Sequence, residues 1–141
     1  MGRSGKPTAE WKFRDLMPDE YHKPDLNPYL KLHRTMGPPV LTASEGSVFK
    51  GKWQSAYKRK APLHVEIGTG NGFFLAGMAD RHREFNWLGL EIRFKRVVQT
   101  ARKVTKANAI DNTHVCRYNA HQISDVFAEG EIDALYINHP D

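Results

Sequence analysis

The chain has 141 residues, 40% of them hydrophobic, and a formal net charge of +5, long enough for one ordinary core. It has no run of 18 apolar residues and no apolar stretch behind a basic N-terminus, which argues against membrane insertion or secretion and for a cytoplasmic address. One cysteine, Cys116, excludes an intrachain disulfide and reads as a small buried apolar residue; the seven His show no i, i+4 pair, so no metal site is expected.

Residues 1–60 carry 12 Lys+Arg against 6 Asp+Glu, and residues 61–141 carry 9 against 10, so the whole basic excess lies in the first segment. That segment also holds six of the eight prolines, which break long helices and central strands, and residues 1–47 read as an irregular basic arm. Its aromatic residues interleave with Lys and Arg, a pairing that holds phosphates and stacks bases. Phe49, Trp53 and Tyr57 read equally well as anchors that tie the arm to a globular body. Lys58-Arg59-Lys60 reads as a solvated charge run.

From residue 63 onward the pattern alternates. LHVEIG (63–68) is a strand ending in glycine, and Phe74, Leu75, Met78 and Ala79 recur at helical spacing after it. FNWLGLEI (85–92) is a second strand, followed by a helix whose apolar face is Phe94, Val97, Val98, Ala101, Val104 and Thr105. THVCRYN (113–119) is a third strand; Ile123, Val126 and Phe127 suggest a short helix that Gly130 ends, and IDALYIN (132–138) is the fourth strand. Strands joined by helices pair in parallel with right-handed crossovers, which gives a doubly wound α/β sheet.

The chemistry is expected in VEIGTGNGFF. Gly68, Gly70 and Gly72 lie in the turn from the first strand into its helix, where missing side chains let a ligand approach the backbone. Glu91 ends the second strand 19 residues past Gly72, the place where an acidic side chain accepts hydrogen bonds from the ribose of an adenine nucleoside. Phe73 stands where a dinucleotide-binding turn needs its third small residue, which counts against NAD. Glu66 either lies beside the turn, where it suits the ammonium and sulfonium of S-adenosylmethionine, or points away as an ordinary strand residue.

HVEIGTGNGFFLAGMA, NWLGLEIRFKRV, RYNAHQI and IDALYINHPD, in that order and spacing, resemble the tRNA (guanine-N7)-methyltransferase family over roughly residues 48–141. The resemblance implies a Rossmann-like class I methyltransferase fold over 48–141, S-adenosylmethionine as cofactor, S-adenosylhomocysteine as product, and tRNA as substrate. It places Glu66, Gly68, Thr69 and Gly70 around the methionine part of the cofactor. Glu91, Ile92 and Arg93 fall on the ribose and adenine side, Asn119 and Ala120 at the adenine, and Asn138 near the methyl group. Asp141 matches the carboxylate that the family treats as catalytic. The match ends there, so the sheet is expected to be truncated after the fourth strand. Its open edge along Asp133 to Ile137 is expected to be covered by a second copy in a homodimer or larger homo-oligomer, or by the arm folding back. The alternative to an enzyme is a family-derived S-adenosylmethionine or RNA-binding protein that has lost turnover.

Overall fold

The computed structural model describes residues 28–138. Helix α1 (Pro28–Thr35) leads to a short strand β1 (Val40–Leu41) and helix α2 (Ala43–Val48). A 3-10 turn at Trp53–Ala56 precedes β2 (Leu63–Ile67), α3 (Phe73–Arg81), β3 (Asn86–Glu91), α4 (Phe94–Lys106) and β4 (Thr113–Arg117). Further 3-10 turns lie at Ile110–Asn112, just before β4, and at Ala120–Asp125, which leads to β5 (Ala134–Ile137). The strands form one sheet in the order β1-β4-β3-β2-β5, and every pairing is parallel. All carboxyl ends therefore meet at one rim, where ligands of open α/β sheets bind. The doubly wound α/β architecture read from the sequence is the one observed.

Side-chain alternation divides the core between the two faces. On one face Trp87 packs with Leu75, Ala76 and Ala79 of α3 and Val104 of α4, and Val97 and Ala101 of α4 cover Val40 and Val115. On the other, Leu63, Val65, Leu88, Leu90 and Cys116 pack under Trp53, Tyr57, Val126 and Phe127. The helix face read for α4 is buried at Phe94, Val97, Val98, Ala101 and Val104, whereas Thr105 is exposed and Thr100 is buried instead. Ile123, Val126 and Phe127 do close the second face, from a 3-10 turn and the residues after it.

The irregular arm needs correction over residues 28–47. These form a helix, an edge strand and most of a second helix: Leu30 and His33 of α1 are buried, α1 packs on α4, and β1 pairs with β4 through Val40 and Leu41. The prolines stand where proline costs little. Pro28 opens α1, and Pro39 lies just before a two-residue edge strand, where it uses only its carbonyl, accepting from Val115 N at 2.8 Å. Thr42 and Glu45 then start α2 with a reciprocal cap (Thr42 N to Glu45 Oε1, 2.8 Å; Glu45 N to Thr42 Oγ1, 3.3 Å). The arm expected to fold back over the β5 edge thus extends the opposite edge with its described part. Residues 1–27 of the arm lie outside the described residues.

Of the two readings of the aromatic residues near residue 50, the anchoring one holds. Trp53 and Tyr57 are buried; Trp53 Nε1 donates to Val126 O (2.8 Å) and Tyr57 Oη to Trp87 O (2.7 Å). Glu131, which the sequence reading passed over, fixes the preceding loop by accepting from the backbone of Gly51, Trp53 and Ala128.

Candidate functional site

The rim is organised by the turn between β2 and α3. Gly68 and Gly70 take φ values of 76° and 57°, a left-handed conformation that glycine adopts without strain. A β-carbon added at either would meet nothing within 4 Å, so the backbone here borders open space. Gly68 N donates to Leu90 O at 2.8 Å, tying the start of the turn to β3.

Glu91 holds the turn in place. Its Oε1 accepts from Gly70 N and its Oε2 from Arg93 N, both at 3.0 Å. One carboxylate thus joins the glycine turn to the start of α4, and each oxygen keeps a further lone pair for a ligand hydroxyl. Ile92 lies between these anchors, and its carbonyl accepts from Arg117 Nε at 2.8 Å. Tyr118 N donates to Glu91 O at 3.2 Å, which brings the segment after β4 to the same rim. There Asn119 Oδ1 accepts from His121 N at 2.8 Å, capping the 3-10 turn that Ala120 opens.

Glu66 faces the rim from within the sheet. It is 1% exposed, and its Oε2 has one long hydrogen bond, from Asn138 Nδ2 at 3.4 Å, while Oε1 has no partner. Burial raises its carboxyl from the ordinary range to about 7; the Asn138 amide opposes this, and the nearby Glu91 charge adds to it. Its register neighbours are Gly89 on β3 and Tyr136 on β5. Gly89 has to be small, because a β-carbon there would lie 2.4 Å from Thr69 Cγ2 and 2.8 Å from Leu75 Cδ2.

Of the residues expected at the site, Glu66 and Asn138 meet directly, and Gly70, Glu91 and Arg93 form one hydrogen-bonded unit. Gly68, Ile92, Asn119 and Ala120 lie along the same rim through the contacts above, and Thr69, buried in the turn, sets its methyl group against Gly89. Asp141 lies outside the described residues. Glu66 is turned toward Asn138, which follows the paired strand β5 at the same end of the sheet.

Two residues of α4 that the sequence reading left out also hold the glycine turn. Thr100 Oγ1 donates to Gly70 O at 3.2 Å and lies 2.9 Å from Thr69 Oγ1. A hydroxyl has one proton, so Thr69 is the donor between the two. Lys103 Nζ donates to Asn71 O at 2.9 Å. A polar residue on the otherwise apolar inward face of α4 was the available signal for Thr100.

The rim suits a ligand that combines a vicinal diol with positive charge. The diol matches the free lone pairs of a fixed Glu91, and a cationic donor would give Glu66 Oε1 the partner it lacks while favouring its ionised form. No group of three or more His, Cys, Asp or Glu that could hold a metal occurs among the described residues, and no helix among them is long and apolar enough to cross a membrane.

Comparison with known proteins gives the family. A tRNA (guanine-N(7)-)-methyltransferase of Bacillus licheniformis is 39% identical over 120 residues, which is 85% of this chain and 54% of the relative. The corresponding protein of Bdellovibrio bacteriovorus is 43% identical over 95 residues, 65% of this chain and 45% of its own. A bifunctional glycosyltransferase/methyltransferase of Fusobacterium nucleatum is 34% identical over 131 residues, 91% of this chain and 20% of its own. The chain spans about half the length of the tRNA methyltransferases it matches. The model of a family described as "Putative methyltransferase" matches residues 60–141, more than half of the chain, and the chain belongs to that methyltransferase family.

Proposed function

We propose that the protein transfers a methyl group from S-adenosylmethionine to N7 of guanine in tRNA. The observation that carries this reading is the pairing at one rim of a carboxylate fixed by two backbone amides, Glu91, with a buried carboxylate that has an oxygen to spare, Glu66. Glu91 would accept from the ribose hydroxyls. Gly68 and Gly70 would lie against the methionine portion, and Glu66 would take its cationic end. Asn119 and Ala120 would border the adenine, with Ile92 and Arg93 on the ribose and adenine side, and Asn138 would stand near the reacting methyl.

When bound, the cofactor supplies an activated methyl group on a sulfonium. Guanine N7 has a free lone pair at neutral pH, so no residue has to remove a proton before attack. What the protein supplies is alignment and exclusion of water. The role we give Asp141 is orientation, accepting from guanine N–H donors. The basic segment 1–60 would meet the phosphates, making affinity for tRNA fall steeply with salt. Acting on tRNA, the protein would work in the cytoplasm.

The test is methyl transfer from radiolabelled S-adenosylmethionine to bulk tRNA, with S-adenosylhomocysteine binding measured in parallel by calorimetry. Incorporation into tRNA supports the reading. Binding with no incorporation into any RNA would leave only a cofactor-binding protein. We also propose that the 141-residue chain self-associates along β5, where Leu135 and Ile137 are 48% and 55% exposed. Light scattering that returns a stable 16.1 kDa species at micromolar concentration would reject this.

A further inference from the structure

The surface beside the glycine turn has features that the cofactor does not use. Helix α4 bears Lys95, Arg96, Arg102, Lys103 and Lys106 and no acidic residue. Arg96, Gln99, Lys103 and Lys106 follow one another at helical spacing and form a stripe, along which Arg96 Nη1 donates to Gln99 Oε1 at 3.1 Å. Lys103 connects this stripe to the turn: its ammonium donates to Asn71 O and lies 4.5 Å from the centroid of the Phe73 ring.

Phe73, the first residue of α3, is 71% exposed, more than any other large hydrophobic side chain among the described residues. The core does not need it, since its neighbour Phe74 is the one that turns inward, against Tyr136 at 5.5 Å. Asp80, two turns further along α3, is paired with Arg83 at 2.7 Å and so opposes an incoming anion little. An exposed ring held beside an ammonium, on a stripe of positive charge, has the two elements that hold single-stranded nucleic acid: a stacking surface and phosphate partners. A duplex could use the charges but not the ring, because its bases are already stacked.

We propose that Phe73 is a stacking platform for an unpaired RNA base, with the adjoining phosphates running along Arg96, Lys103 and Lys106. This rests on the reading of the substrate as RNA, and adds to it a specific surface next to the cofactor turn. Phe73 then selects for a substrate whose bases are splayed out, and Lys103 serves both the turn and the RNA.

The experiment is fluorescence anisotropy of a labelled single-stranded oligoribonucleotide and of its duplex, titrated with the full chain. Phe73→Ala should weaken binding of the single strand by roughly 5- to 150-fold, the range expected for one lost stack. Phe73→Trp should bind at least as well as the parent, and Lys106→Gln should lower the salt dependence by about one phosphate contact. Because Phe73 is exposed, both variants at this position should fold, which circular dichroism checks, and Phe73→Ala should bind S-adenosylhomocysteine as the parent does. Full retention of single-strand affinity in Phe73→Ala overturns the platform alone. Failure of the parent chain to bind any RNA overturns the platform and the RNA substrate together, whereas methyl transfer that survives with an intact Phe73→Ala affinity leaves only the platform rejected.

Discussion

The carboxyl ends of β2 and β3 each present a glutamate to the same rim, and the two are treated in opposite ways. Glu91 has a backbone N–H on each oxygen, from Gly70 and Arg93, and helps to build the turn it serves. Glu66, buried one strand away, has one long bond from Asn138 and an oxygen with no partner. A carboxylate satisfied by the backbone stabilises its surroundings before any ligand arrives. One left short of partners costs stability until something supplies them, a pattern found at binding sites. Glu91 is thus part of the scaffold that a ligand meets, and Glu66 is a reserved acceptor.

The largest expected effect comes from relieving the reserve. Because the folded-state pKa of Glu66 is raised to about 7 from 4.5, the folded protein holds a proton that the unfolded chain releases between those values. This contribution to stability is fully present below about pH 4.5, declines as pH rises, and is lost above about pH 7. Glu66→Gln, which stays neutral, should remove the decline and be more stable than the parent at pH 8. The gain should reach up to about 3 kcal/mol, since each tenfold change in proton affinity is worth about 1.4 kcal/mol. Urea unfolding at pH 5 and pH 8 measures it. Equal differences between parent and variant at both pH values would mean that Glu66 is not held short of partners. The same variant should bind S-adenosylmethionine more weakly, and in the parent the affinity should rise with pH through about 7.

Glu91 should behave in the reverse sense. Glu91→Ala removes the acceptor for two backbone donors and the partner of the ribose hydroxyls, so cofactor affinity should fall by about 1 to 3 kcal/mol, and stability should fall with it. Calorimetry with S-adenosylhomocysteine checks the first part. If NADH binds to the parent and the methionine nucleosides do not, the assignment of both glutamates fails.

This contrast was only half legible in the sequence. The alternating apolar runs gave the central strands, and the spacing from Gly72 to Glu91 gave the turn and its acidic partner, because both depend on short-range pattern. The unequal bonding of Glu66 and Glu91 depends on Asn138, Gly70 and Arg93 arriving from separate elements, and no local pattern records that. The edge of the sheet was missed for a different reason. Prolines in residues 28–47 were read as breakers, yet Pro28 begins a helix and Pro39 precedes an edge strand, two positions where its missing N–H does little harm. Trp53 and Tyr57 could not be placed by composition, since basic surroundings fit either role; burial and bonds to Val126 and Trp87 decided it. Gly89 has to be small because Thr69 and Leu75 pack against it from other elements, which no local pattern records either.

The smallest expected effect tests whether the end of β3 and helix α4 act together through the turn. Gly70 is held from both sides, its N–H by Glu91 and its carbonyl by Thr100, whose hydroxyl also receives the proton of Thr69. Thr100→Val keeps the shape of the side chain and removes that hydroxyl, leaving Gly70 O without its donor and Thr69 without its acceptor. The loss should be about 1 kcal/mol in stability, with cofactor affinity lowered only a few-fold, while Thr100→Ser, which keeps the hydroxyl, should bind the cofactor as the parent does. The informative measurement is the double variant with Glu91→Ala. Once Glu91 has released Gly70, the grip of Thr100 on the same residue has less left to position, so the two losses in cofactor affinity should overlap by at least about 0.5 kcal/mol. Strictly additive losses would show that Glu91 and Thr100 act on the cofactor independently, and the glycine turn would then be a passive spacer between them.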